Sequence, residues 1–100
     1  MSQMLTQDEA LRIIVNHYGQ KKQEVQAVQE LSELILLLTA RSDQRKRNYK
    51  QRVTEEIADA QIMIEQIKIM NGIRDEDVTQ VTVDKLERQL NRIDKEQRDG

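Results

Sequence analysis

The sequence predicts an all-α fold, and three observations carry that reading. The chain of 100 residues has no proline, phenylalanine, tryptophan or cysteine and only three glycines, so little interrupts a helix. It is rich in Leu, Gln, Glu, Lys and Arg, residues that lose little on entering one, and in Ile. Apolar residues recur at helical spacing along most of its length, and no stretch alternates as a half-buried strand does. The length fits one small domain over residues 1–100.

The elements follow in order. Thr6 and Glu9 have the spacing of a capping box, and Leu11, Ile14 and Val15 continue a helix that ends near Tyr18. Gly19 is the expected left-handed stop. A second helix runs from about Gln20 to Ala40 through Val25, Val28, Leu31, Leu34, Ile35 and Leu38, with Leu36 and Leu37 on its other faces. A helix apolar all round is buried on all sides, which a chain of this size can hardly achieve alone, so self-association is expected. Arg41–Tyr49 reads as a connector. A third helix spans about Lys50 to Met70, its stripe marked by Ile57, Ala60, Ile64 and Ile67 with Met63 and Met70 on the flank, and Asn71-Gly72 ends it. An acidic turn at Asp75–Asp77 precedes a fourth helix over about Thr82 to Gln97, where Leu86, Leu90 and Ile93 form a narrow stripe beside Lys85, Arg88 and Arg92.

Composition narrows the function. Absence of cysteine removes disulfides and thiolate chemistry. Met1–Gln7 lacks a signal-peptide layout, and the apolar run Leu34–Leu38 is too short to span a bilayer, so a soluble cytoplasmic chain without membrane partners is expected. The net charge of −2 hides a basic segment: Arg41 to Arg52 holds six bases against Asp43 alone, a net of +5, which leaves −7 on the rest. Two tyrosines and an acidic whole argue against nucleic acid as the partner.

Two acidic pairs carry the chemistry, Glu30-x-x-Glu33 on the second helix and Glu56-x-x-Asp59 on the third. An i, i+3 step sets both carboxylates of a pair on one helix face. By helical angle Glu56 projects between Ala60 and Met63, and Asp59 lies at the edge of the stripe. A carboxylate aimed at a core is costly unless it is paired or binds a metal. Two such pairs meeting would suit a hard divalent cation with oxygen ligands. With one histidine and no Glu-x-x-His, a di-iron site is disfavoured. The other reading is structural: the carboxylates pair with Arg or Lys across a bundle interface, and the chain is a non-catalytic helical interaction module.

The succession Glu30-Leu31-Ser32-Glu33 and Glu56-Ile57-Ala58-Asp59 resembles the E-x-x-E and E-x-x-D motifs of the MazG-like nucleoside triphosphate pyrophosphohydrolases. Tyr18-Gly19 and Gln23 resemble the lead-in to the first motif, and Asn71-Gly72-Ile73 and Lys85-Leu86-x-Arg88 the turn and last helix, so the likeness spans about residues 16–95. It departs from the pattern at Gln29, where many relatives have glutamate, and at Thr82, where some have asparagine. The resemblance implies a four-helix bundle-like fold, oligomeric as a homodimer or homotetramer. It also implies hydrolysis of a (deoxy)nucleoside triphosphate to the monophosphate and pyrophosphate with Mg²⁺, or Mn²⁺ in its place. Glu30, Glu33, Glu56 and Asp59 would be the metal ligands, and Glu33 is also the candidate for orienting the attacking water. Lys85, Arg88, Arg92 and Gln23 would contact the substrate.

Overall fold

The computed structural model describes residues 4–40 and 47–99, and within them every regular element is a helix: α1 (Gln7–Tyr18), α2 (Gln20–Thr39), α3 (Tyr49–Met70) and α4 (Asp75–Asp99). Most of the expected connector, residues 41–46, lies outside the described residues. Tyr49 opens α3 instead of closing the connector.

Helix α1 begins as its sequence signals. The Glu9 backbone N–H donates to Thr6 Oγ1 at 3.1 Å and the Thr6 N–H donates to Glu9 Oε1 at 3.3 Å, which satisfies two otherwise orphaned donors. Gly19 closes α1 through its N–H to the Val15 carbonyl at 2.8 Å and opens α2 by accepting from the Gln23 N–H at 3.1 Å. Its φ of 90° with ψ of 157° lies outside the left-handed helical region, in territory that only glycine enters freely. Helix α3 ends in a Schellman turn, with Ile73 N–H donating to the Lys68 carbonyl at 2.9 Å and Gly72 N–H to that of Ile69 at 3.3 Å. Gly72 has the left-handed φ of 64° this turn requires. A Cβ at either glycine would meet nothing within 4 Å, so only the backbone opposes substitution. Gly72→Ala is therefore expected to cost about 1 kcal/mol in denaturant unfolding. Gly19→Ala is expected to cost more, about 1–3 kcal/mol, because the glycine-only region is steeper.

Helices α2 and α3 form an antiparallel pair, with α1 laid against both. Their seam holds the core: Ala27 and Leu37 from α2, Ala60 and Met63 from α3, and the polar Gln23 and Gln66. The seam side of α3 thus centres on Met63 and Gln66. Ile57 and Ile64, expected in the stripe, are 43% and 46% exposed. The same rotation carries Asp59, expected at the edge, into line with Gln66 seven residues on, and it is half-buried.

Two corrections concern what the chain leaves uncovered. Helix α2 buries only one side: Leu31, Leu34 and Leu37 face the seam, while Val25, Val28, Ile35, Leu36 and Leu38 are exposed. Helix α4 starts at Asp75, because nothing between Asp75 and Thr82 breaks a helix and the acidic residues Asp75, Glu76 and Asp77 suit the positive end of its dipole. Lys68 joins it to α3, with Nζ 2.6 Å from Asp75 Oδ1 and 2.9 Å from Glu65 Oε2. Beyond that ion pair α4 packs against no other helix among the described residues, and every residue in it is exposed. The single chain is therefore three packed helices and one projecting helix, not a closed four-helix bundle. Its radius of gyration is 17.8 Å, against about 13 Å for a compact domain of this length. No helix among the described residues is long and apolar enough to cross a membrane.

Candidate metal centre

The antiparallel seam brings the two acidic pairs together. One carboxylate oxygen from each of Glu30, Glu33 and Glu56 can be chosen so that the three lie within 4.8 Å of one another. Glu30 and Glu56 are half-buried and Glu33 faces solvent, so the cluster is anchored in the seam and open at its rim. Asp59 stands outside this triad but close enough for its charge to act on Glu30.

The electrostatics of the cluster are unfavourable as it stands. Burial pushes the Glu30 carboxyl above the usual carboxylate range, and the charges of Glu33 and Asp59 push the same way. Gln26 works against them by donating from Nε2 to Glu30 Oε1 at 2.8 Å, whereas the hydrogen bond with Glu33 again favours the protonated acid. Glu56 Oε2 is buried and has no hydrogen-bond partner. No ion pair between described residues engages any of the four carboxylates.

A buried carboxylate oxygen without a donor costs free energy, and three converging carboxylates add repulsion to that cost. A divalent cation relieves both at once. The donor set is entirely carboxylate oxygen, which suits Mg²⁺ or Mn²⁺ and not the softer transition metals. The residues present therefore fit a hard cation, held by Glu30, Glu33 and Glu56 with Asp59 at their side.

The expected substrate contacts are distributed differently. Gln23 does not reach toward a ligand: it is buried, and its Nε2 donates to Gln66 Oε1 at 2.8 Å inside the seam. Lys85, Arg88 and Arg92 lie on the projecting α4, which does not flank the acidic cluster of its own chain. Of the basic segment, Arg41, Arg45 and Lys46 lie outside the described residues, Arg47 and Lys50 are exposed and Arg52 is half-buried. Sequence reasoning passed over Gln66 and Gln26. The signal for Gln66 was present, a polar residue between Met63 and Met70 and seven residues after Asp59.

Comparison with protein-family models, with curated proteins and with solved structures finds no match to this chain.

Proposed function

We propose that this protein is a Mg²⁺-dependent nucleoside triphosphate pyrophosphohydrolase of the MazG-like kind, acting in the cytoplasm, where its substrate class is found. The observation that carries the proposal is the convergence of Glu30, Glu33 and Glu56 around the unpartnered buried oxygen of Glu56. Motif order supports it, since the two acidic pairs that resemble the family's are the ones the seam brings together.

Glu30 and Glu56 would hold the cation from within the seam with Asp59 beside them, and Glu33 would complete the set from the solvent side. Bound Mg²⁺ would supply neutralisation of phosphate charge and a more acidic water. Glu33, exposed at the rim, would orient an attacking water and accept its proton as the water oxygen bonds to the α-phosphorus. The bond from the α-phosphorus to the bridging oxygen breaks, and pyrophosphate leaves with the electron pair. The phosphates are met by Lys85, Arg88 or Arg92 only if α4 is brought to a seam by assembly. By helical angle Lys85 and Arg92 lie nearer the apolar stripe of α4 than Arg88, which is on the opposite face.

Self-association as a homodimer or homotetramer belongs to the same proposal. The accessible surface of the chain is 8499 Å², about 2,600 Å² more than the roughly 5,900 Å² of a compact monomer of this mass. Much of that excess is the apolar stripe of α4 and the outer face of α2.

The test is release of pyrophosphate from a panel of nucleoside triphosphates with Mg²⁺. At least one substrate should turn over, with Glu33→Gln and Asp59→Asn each at least tenfold slower. The exposed faces of α2 and α4 favour one other reading, a helical interaction module without catalysis. Absence of pyrophosphate from every triphosphate, together with no effect of Mg²⁺ on unfolding, selects it.

A further inference from the structure

The seam that carries the acidic pairs is built from side chains that choose a helix register weakly. Ala27, Leu37, Ala60 and Met63 are aliphatic and make no directional contacts, so their packing distinguishes neighbouring registers less sharply than a paired polar group does. Sliding would be ruinous for the cluster. Glu30 lies seven residues after Gln23, and Asp59 lies seven residues before Gln66. The Gln23–Gln66 hydrogen bond and the carboxylate cluster therefore sit two turns apart on both helices, in a single register.

Gln66 is 1% exposed, the most deeply buried large side chain among the described residues, and Gln23 is buried beside it. A slip of four residues would set Gln66 opposite Ala27 or Gly19, which offer no side chain to pair it. A slip of three toward the end of α2 would offer Gln26, whose amide is already engaged by Glu30. A buried amide left unpaired costs more than its hydrogen bond contributes, so the four-residue slips are penalised more than the native register is stabilised, while slips of three set Gln66 opposite Gln20 or Gln26. Fixing register is the best-attested use of a lone polar contact in an apolar helix interface.

We infer that Gln23 and Gln66 are positioning residues, a buried amide pair that locks the α2–α3 register in which Glu30 and Glu33 meet Glu56 and Asp59. The lock rests on geometry alone, and only its consequence for cation binding rests on the function proposed above. The two can be separated in one set of variants. The chain has no cysteine, so Glu24→Cys and Gln51→Cys place two spin labels far apart along the exposed sides of α2 and α3. Labelled protein is diluted into unlabelled protein so that only distances within one chain are read. Wild type should give one narrow distance. Gln23→Met with Gln66→Met, which conserves volume and removes both amides, should add or shift to a population displaced by about 5 Å, one helical turn. Its thermal midpoint should not fall, and its Mn²⁺ affinity should drop at least tenfold. Gln23→Glu, which replaces the Gln23 donor by an acceptor and pairs once the Gln66 amide turns to donate, should keep the wild-type distance. A single unchanged distance in the double variant overturns the lock. If that variant does not fold, Gln23→Met alone answers in its place: a second distance supports the lock and one native distance overturns it. If wild type binds no Mn²⁺, the metal reading fails, while the distances still decide the register.

Discussion

Mg²⁺ or Mn²⁺ added to the metal-free protein is expected to raise its unfolding midpoint, and Glu56→Gln is expected to abolish the rise. A ligand that binds only the native state stabilises it by mass action, about 2.7 kcal/mol when the free cation is at 100 times its dissociation constant. For a domain of this size each kcal/mol moves the midpoint by about 4–8 °C. Glu56 is the residue to change because its Oε2 is buried without a hydrogen-bond partner, the atom the proposed cation would satisfy. Glu56→Gln should also make the metal-free protein slightly more stable, since it removes one of three crowded charges. Loss of the cation effect with no loss of intrinsic stability separates a binding site from a structural salt-bridge network. In such a network, deleting one partner destabilises the fold.

The same cluster sets a pH dependence whose sign is fixed by Glu30. Its carboxyl is raised by burial, by the charges of Glu33 and Asp59 and by the hydrogen bond with Glu33, so the native state holds this proton to higher pH than the unfolded chain does. The associated stability is fully present below the unfolded value and is lost as pH rises through the raised native one. Asp77 slopes the other way, because Arg74 holds its carboxyl below the usual range. The difference between wild type and Glu30→Gln therefore isolates Glu30. Without metal, wild type should lose stability relative to the variant as pH climbs through the upper carboxylate range. With excess Mn²⁺ the difference should reverse, because the cation binds only the ionised acid. Equal slopes with and without Mn²⁺ would remove Glu30 from the site.

Local chemistry made much of the fold legible. The capping box at Thr6 and Glu9 and the stop at Asn71-Gly72 are complete within a few residues, and both stand in the structure. The α4 start was misplaced because Val78, Thr79, Val81, Thr82 and Val83 blur helical periodicity, although the acidic residues before them favour a helix start. The centre of the α3 stripe was harder. Ile57 and Ile64 are more apolar than Gln66, yet Gln66 is the buried one, because a partner amide on α2 satisfies it. No single-helix periodicity contains that partner. Glu56 and Asp59 could be placed by angle on their own helix, but which α2 carboxylates they meet depends on the register of the hairpin. The substrate side was least legible, since a helix that packs on nothing in its own chain gives no address for Lys85, Arg88 or Arg92.

If the protein self-associates as proposed, Leu90→Asp and Leu36→Asp, separately, are expected to convert the assembly into chains of 11.8 kDa, measured by sedimentation or light scattering. Helix α4 has 25 residues and, among the described residues, packs against no other helix, and a helix without packing is marginal in water. Its stripe of Val83, Leu86, Leu90 and Ile93 repeats at alternating steps of three and four, the spacing that seats one helix on another. On α2, Val25, Val28, Ile35 and Leu36 form a second stripe on the side away from α3, with Ser32 in its middle. Leu36 and Leu90 are each 66% exposed in the single chain. If two chains cover the excess surface of both, the area removed from water is about 5,000 Å², within the obligate range. A carboxylate placed in either stripe costs several kcal/mol on burial, which weakens assembly by about a thousandfold or more. Lys95→Ala, on the opposite face of α4, should leave the mass unchanged. Circular dichroism gives an independent readout, because a dissociated chain loses the support that keeps α4 folded, while α1 to α3 retain their seam. If Leu90→Asp dissociates the protein without lowering helicity, α4 takes part in assembly but is stable without it.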